Sequence, residues 1–195
     1  MTGLVAILVS YVIGLLPSAY IAGHLVKGVD IRTVGDRNPG AANVYRNVSH
    51  LAGILVLVAD VGKGTLAILI AQTITSQPTV SLCGLAVVAG HDWPIFFGFK
   101  GGRGLATTIG VLLAMLPIPM AITLAACAIP FLKTRNLVVT GVILFAPLPV
   151  LAWRTGSSLG LVVYSVALPC LAGILHLITT RNLPEQQKRE ALYMR

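Results

Sequence analysis

Seven stretches of almost unbroken apolar residues run along the chain: approximately Leu4–Val26, Leu51–Thr75, Val80–Phe97, Leu105–Leu116, Ile118–Leu132, Leu137–Trp153 and Leu159–Ile178. Short polar connections separate them. Runs without a wet face predict helices that cross a bilayer, although several fall short of the ~20 residues a span ordinarily needs. The fourth and fifth stretches could be one long span. Pro117-Ile118-Pro119 stands between them, and two prolines so close are hard to keep inside a helix. The pattern therefore predicts a tight turn there and seven spans; six spans with one kinked helix is the alternative. The expected fold is an all-α, polytopic membrane helical bundle of about seven transmembrane helices. No long linker, low-complexity tract or internal repeat divides it, so residues 1–195 form one domain. The polar tail Arg181–Arg195 has the composition of a short surface helix.

Composition agrees with this reading. The residues are 56% hydrophobic and 10% charged, with a mean hydropathy of +0.88. A soluble domain carries about 25% charged residues, so this chain has too little polar surface to coat a water-soluble globule. The formal net charge of +8 raises nucleic acid as a partner, but the distribution of charge excludes it. The basic residues sit in short loops between apolar spans and not along one solvated face. Lys27, Arg32, Arg37 and Arg46 fall in the first loop, Lys100 and Arg103 in the third, and Lys133 and Arg135 in the fifth. Arg181, Lys188, Arg189 and Arg195 fall in the tail, whereas the N-terminus and the other three connections hold only Arg154. This alternation predicts an N-terminus outside and a C-terminus in the cytoplasm, and six spans would break it. No positive charge precedes the first apolar run, which therefore reads as a permanent helix and not a signal peptide. Cys83, Cys127 and Cys170 each lie in an apolar stretch, without C-x-x-C spacing, and read as core or lipid-facing residues.

The most chemically suggestive segment is Gly90–Thr107, GHDWPIFFGFKGGRGLAT. Lys100, Gly101, Gly102, Arg103 and Gly104 offer cations and unhindered backbone N–H groups just before a helix starts, a combination suited to phosphate. The first loop contains Asn38-Pro39-Gly40-Ala41-Ala42-Asn43-Val44-Tyr45-Arg46. Its small residues allow close backbone approach, Asn38 and Asn43 offer amide donors, and Arg46 offers a planar fork for phosphate or carboxylate. A turn followed by a helix cap accounts for the same residues; predicted pairing with the second loop on one side gives the functional reading its force. Asp60 and Lys63 lie i, i+3 inside the second span, as a wall of an active cavity or as an internal salt bridge. His91 and His176 are candidates for hydrogen bonding to an anion or for proton transfer; His24 and His50 read as helix-end residues. No P-loop or H-x-x-x-x-D pairing occurs, and the scattered acids give no metal cluster. A membrane transporter or channel for an anionic or phosphorylated solute is the alternative function. Against it, the anion-binding residues cluster on one face, and no broken-helix pair or inverted repeat marks a midplane site.

Three ordered blocks carry a family resemblance over nearly the whole chain. They are Gly90-His91-x-x-Pro94 with Phe99-Lys100-Gly101-Gly102-x-Gly104-x-Ala106-Thr107, then Asn38–Val44 with Arg46, and Asp60-x-x-Lys63-Gly64. In these the chain resembles the bacterial acyl-phosphate-dependent glycerol-3-phosphate 1-acyltransferase family. The resemblance implies a seven-helix enzyme of the bacterial inner membrane, with its site on the cytoplasmic face. It implies transfer of a fatty acyl group from acyl phosphate to the sn-1 hydroxyl of glycerol 3-phosphate, giving lysophosphatidic acid and phosphate in phospholipid biosynthesis. No cofactor, metal or acyl-CoA is implied, and the partners are the two substrates and membrane lipid, with the chain a monomer. His91, Lys100, Arg103 and His176 become the candidate catalytic residues. Substrate binding falls to Asn38, Gly40, Ala41, Ala42, Asn43, Arg46, Lys100, Gly101, Gly102, Arg103, Gly104, Thr140 and His176. The chain also departs from the family pattern. Where the family commonly reads Gly-Ser-Gly-Asn, this chain has Gly35-Asp36-Arg37-Asn38, so an acid replaces a serine. Arg103 replaces a lysine, only Thr140 remains of a serine-rich motif, and the residues after His176 differ.

Overall fold

The computed structural model describes residues 1–194, which form eleven α-helices around one membrane-type bundle. Six helical stretches are long and apolar enough to cross a membrane: Thr2–Lys27, His50–Ile74, Thr79–Phe97, Pro117–Thr134, Leu137–Arg154 and Leu159–Thr180. Between the third and fourth of these lies a shorter apolar helix, Leu105–Met115. The predicted break at the proline pair is present: Leu116 leaves helical geometry (φ −134°, ψ 61°), and the next helix starts at Pro117.

Two predicted spans are each two helices. The first consists of α1 (Thr2–Gly14) and α2 (Ser18–Lys27), interrupted at Leu15-Leu16-Pro17 because Pro17 has no N–H to continue the ladder. A short helix α3 (Ala41–Asn47) follows the first loop and leads into α4 (His50–Ile74). Next come α5 (Thr79–Asp92), α6 (Leu105–Met115) and α7 (Pro117–Thr134). The other divided span is α8 (Leu137–Phe145) and α9 (Leu148–Arg154), parted at Ala146-Pro147. The chain closes with α10 (Leu159–Thr180) and α11 (Glu185–Leu192), the short polar helix expected of the tail.

Small residues let the backbones meet, as membrane packing favours. A Cβ on Gly64 of α4 would collide with the Thr107 carbonyl of α6, and one on Gly110 of α6 with the Val61 carbonyl of α4. Gly14 and Gly90 bring α1 and α5 together in the same way. The main core, with Ile68, Val87, Val111, Leu112, Met120, Leu148 and Leu168, fills the space between these helices. A second cluster, Ala19, Ile31, Val44, Ala52 and Val56, seats the first loop and α3 on α2 and α4. Large apolar side chains such as Leu8, Leu55, Val58, Leu66 and Leu177 point outward, as a lipid-facing surface requires.

This arrangement places the polar loops deep. The 25 residues of α4 extend for about 37 Å, and Asp60 and Lys63 lie about 15–20 Å from its His50 end. Helix α5 stops beside Lys63, and the chain turns out, doubles back through residues 98–104 and begins α6 level with Gly64. The predicted fourth span is therefore only 11 residues long, because α6 lines just the second half of α4. The basic segments gather at one end: Arg103 bonds Asp36 and Thr179, Arg46 bonds the Tyr193 carbonyl, and Met194 N–H donates to the Arg135 carbonyl. Gly3 meets Thr75 and Thr79 at the other end, so Gly3 and Met194 lie at opposite ends of the bundle.

Candidate active site

The broken first span and the end of α5 enclose a narrow cleft of about 30 Å³. It is lined by residues 14–18 of the break, Tyr20, Arg32, Pro39, His91 and Lys100–Gly102, among others. Its floor is organised by Lys63. The ammonium has three N–H groups and three acceptors: Asp60 Oδ1 at 2.8 Å, His91 Nδ1 at 2.7 Å and the Leu16 carbonyl at 3.2 Å. Ser18 O–H donates to the same Asp60 oxygen at 2.6 Å. The break at Leu16 thus supplies a carbonyl, and its cap residue a hydroxyl, to a buried ion pair. Because Lys63 donates to Nδ1, the His91 proton resides on Nε2, on the ring edge that faces Gly102 and the cleft. His91 is accordingly arranged as a hydrogen-bond donor.

The second cationic group stands beside this cleft. Asp36 Oδ2 accepts from Arg103 Nη1 at 2.9 Å, and Asp36 Oδ1 lies 3.6 Å from Arg46 Nη2. All three side chains are largely withdrawn from solvent, with relative exposures of 2% for Asp36, 6% for Arg46 and 10% for Arg103. Burial pushes both guanidiniums below their ordinary value and Asp36 opposes the shift; an arginine starts high enough that both remain cations. Arg46 Nη1 donates to the Tyr193 carbonyl at 2.9 Å, while its Nε and Nη2 have no hydrogen-bond partner among the described residues. Arg103 Nε donates to Thr179 at 3.1 Å. His176 is half-buried one turn before Thr179, within electrostatic reach of Arg103 and Asp36.

The two predicted loops therefore come together, through Arg103 and Asp36 and through Pro39 and Lys100 on one cleft. The chemistry of the predicted site differs from expectation at five residues. Gly101 N–H donates to the Asp92 carbonyl and Gly102 N–H to the His91 carbonyl, both at 3.0 Å. These carbonyls end α5 in the middle of the bundle and need partners, so the glycine N–H groups are consumed there and do not await an anion. Gly104 does not face open space either: a Cβ on it would come within 2.9 Å of the buried Asp92 carboxylate, which occupies the start of α6. Thr140 spends its hydroxyl on the Asn136 carbonyl of its own helix and joins none of the other site residues by a hydrogen bond.

Asn43 is the fifth. It is fully buried, its amide N–H groups reach the carbonyls of Ile31, Val34 and Asn38, and its oxygen accepts from Asn47. It is the internal strut of the first loop, with no donor left for substrate. Asn43→Leu, nearly isosteric, removes the amide bonds that tie these three turn carbonyls together and leaves the Asn47 amide without its acceptor, and should destabilise the protein by about 1–3 kcal/mol. A clear fall in unfolding temperature in detergent is expected; an unchanged temperature would show that the loop is held by other contacts. By contrast, the N–H groups of Ala41 and Ala42, just after Gly40, have no acceptor among the described residues. Asn38 lies alongside, its backbone N–H near Asp36 Oδ1 and its amide against Gly40.

Several residues of the cleft have no sequence signature. Arg32 sits 5.2 Å from the Tyr20 ring centroid and 5.0 Å from that of Phe97, and its ion pair with Asp30 holds that carboxyl below its ordinary range. This cation–π clasp ties α2 to the turn at Ile95–Phe97 across the rim. Ser18 and Leu16 enter only because the first span is broken.

Comparison with known proteins agrees with this architecture. The family model described as glycerol-3-phosphate acyltransferase matches residues 4–185. The chain is 41% identical over 180 residues to glycerol-3-phosphate acyltransferase 4 of Dehalococcoides mccartyi, covering 92% of this chain and 97% of that relative. To the glycerol-3-phosphate acyltransferase of Endomicrobium trichonymphae it is 34% identical over 185 residues, covering 94% and 93%. Its fold matches the crystal structure of PlsY (YgiH), an integral membrane glycerol 3-phosphate acyltransferase, in the glycerol 3-phosphate form. The TM-score is 0.81 with 29% identity, over 93% of this chain and 91% of that one. The same protein in its lysophosphatidic acid form matches with a TM-score of 0.81 and 27% identity, over 98% of each chain. With its bundle, its paired loops and these relatives in agreement, the chain belongs to the glycerol-3-phosphate acyltransferase family.

Proposed function

We propose that this acyltransferase moves a fatty acyl group from acyl phosphate to the sn-1 hydroxyl of glycerol 3-phosphate, with its site on the cytoplasmic side of a bacterial inner membrane. The observation that carries the reading is the presence of two adjacent but separate cationic places. One is Lys100 on the cleft over His91, and the other is the Arg46–Arg103 pair around Asp36. A reaction between two phosphorylated molecules needs two such places. The donor phosphate is assigned to Lys100, with the open N–H groups of Ala41 and Ala42 and the amide of Asn38. The acceptor phosphate is assigned to Arg46 and Arg103, with His176 beside them. All of these come from one chain, so a monomer suffices.

The chemistry asked of the protein is modest. The acceptor hydroxyl oxygen attacks the acyl carbonyl carbon, the bond from that carbon to the phosphate oxygen breaks, and phosphate leaves. The departing phosphate can take the hydroxyl proton, which suits a site whose nearest histidine has its Nδ1 occupied by Lys63. Holding two reactants in line contributes up to about 7–11 kcal/mol in favourable cases, and Lys100 and the His91 Nε2–H can steady the charge that develops. The basic segments at one end of the bundle support a cytoplasmic site through the positive-inside tendency.

The decisive assay is purified protein with synthetic acyl phosphate and labelled glycerol 3-phosphate, with acyl-CoA as the alternative donor. Labelled lysophosphatidic acid, formed only with acyl phosphate, is the expected result. Product formed equally from acyl-CoA would overturn the donor assignment, and label carried into liposomes without any product would favour the anion carrier.

A further inference from the structure

Asp36 is the unexpected member of the site. Arg46 and Arg103, the two cations given to the acceptor phosphate, both face its carboxylate. The fit is uneven: Arg103 makes a full hydrogen bond at 2.9 Å, whereas Arg46 Nη2 approaches only to 3.6 Å, and its Nε and Nη2 make no hydrogen bond among the described residues although buried. Those two donors form one edge of a guanidinium, the edge that matches two oxygens of a phosphate or carboxylate. A buried donor without a partner is costly, so Arg46 retains capacity for an anion larger than the one it has.

We propose that Asp36 is a built-in competitor that sets the affinity of the acceptor site for phosphate monoesters. Its carboxylate cancels one of two positive charges and lies against both guanidiniums, with Glu190 of α11 a weaker influence on Arg46. An incoming phosphate must displace it from Arg103 or bind beside it against like-charge repulsion. Occupied only by Asp36, the arginines stay paired and oriented, and they open to an acceptor present in sufficient concentration. This inference rests on the acceptor assignment above and concerns the affinity-setting role of one residue, which that assignment does not require.

The test uses the full-length protein in detergent, with Asp36→Asn and Asp36→Ser as variants. Calorimetric Kd for glycerol 3-phosphate is the first readout, because it needs no turnover, followed by the KM values for acceptor and donor. The expected result is a Kd and acceptor KM lowered about tenfold, the size of one screened charge interaction, with the acyl-phosphate KM unmoved. A merely structural Asp36 would instead weaken both substrates together. Unchanged or weaker acceptor binding in the folded variants overturns the proposal, as does failure of both variants to fold, which would make Asp36 a structural staple. Absence of lysophosphatidic acid from a wild type that still binds glycerol 3-phosphate would count against the proposed acyl transfer alone, since the calorimetric comparison reads the competition without turnover.

Discussion

Lys100→Ala should lower kcat for acyl transfer by about 100- to 1,000-fold, the usual consequence of removing one preorganised stabiliser of developing charge. The unfolding temperature should stay at the wild-type value. The two halves of the expectation come from different features. Lys100 is exposed on the cleft, and its side chain makes no hydrogen bond or ion pair among the described residues, so its removal strands no buried group. Its backbone N–H donates to the Phe97 carbonyl, a bond that alanine preserves. What disappears is the one cation on the cleft with no carboxylate of its own, since Arg32 is tied to Asp30 and Lys63 to Asp60. Arg46→Ala would be a poorer test: it empties a buried position, removes a hydrogen bond to the Tyr193 carbonyl and takes one of its two arginines from Asp36, mixing stability with chemistry. A kcat within threefold of wild type for a correctly folded Lys100→Ala protein would remove Lys100 from the reaction.

Hydropathy exposed the spans because lipid demands continuous apolar runs, and the Pro117/Pro119 break was legible because proline cannot continue a helix. The break at Leu15-Leu16-Pro17 was not, since both flanks are equally apolar and one proline is tolerated in many membrane helices. Yet that break supplies the Leu16 carbonyl and the Ser18 hydroxyl to the Asp60–Lys63 pair. The i, i+3 spacing announced the pair itself, which the structure shows as an internal salt bridge whose lysine also reaches His91. Residue type misled where backbone geometry decides. Gly101 and Gly102 looked like free N–H donors, but α5 ends in the interior and claims them. Asn43 looked like a ligand, but the first loop folds around its amide. Asp36 was visible as a departure from the family's serine; its meaning depends on residues 10 and 67 positions away, which no local pattern relates to it.

The buried pair beneath the cleft separates stability from catalysis. Lys63→Met leaves the Asp60 carboxylate with the Ser18 hydroxyl and the His91 ring 3.8 Å away, and Asp60→Leu leaves the Lys63 ammonium with one carbonyl and one imidazole nitrogen. Each single change strands a charge in an apolar bundle and should cost about 3–5 kcal/mol, read as a large drop in unfolding temperature in detergent. The double variant Asp60→Leu/Lys63→Met removes both charges at once, and replacing a buried pair by apolar residues is often neutral or better, so its unfolding temperature should return most of the way. Turnover should not return with it. His91 Nδ1 would then have lost the donor that fixes the proton on Nε2, and the ring could present either nitrogen to the cleft, so kcat should remain at least about tenfold below wild type. Recovery of stability and turnover together would mean that His91 acts without instruction from Lys63. Wild-type stability in Lys63→Met would mean that the carboxylate finds another partner. Low turnover on a restored fold would identify the ion pair as a positioning device, retained in the membrane for the orientation of one imidazole.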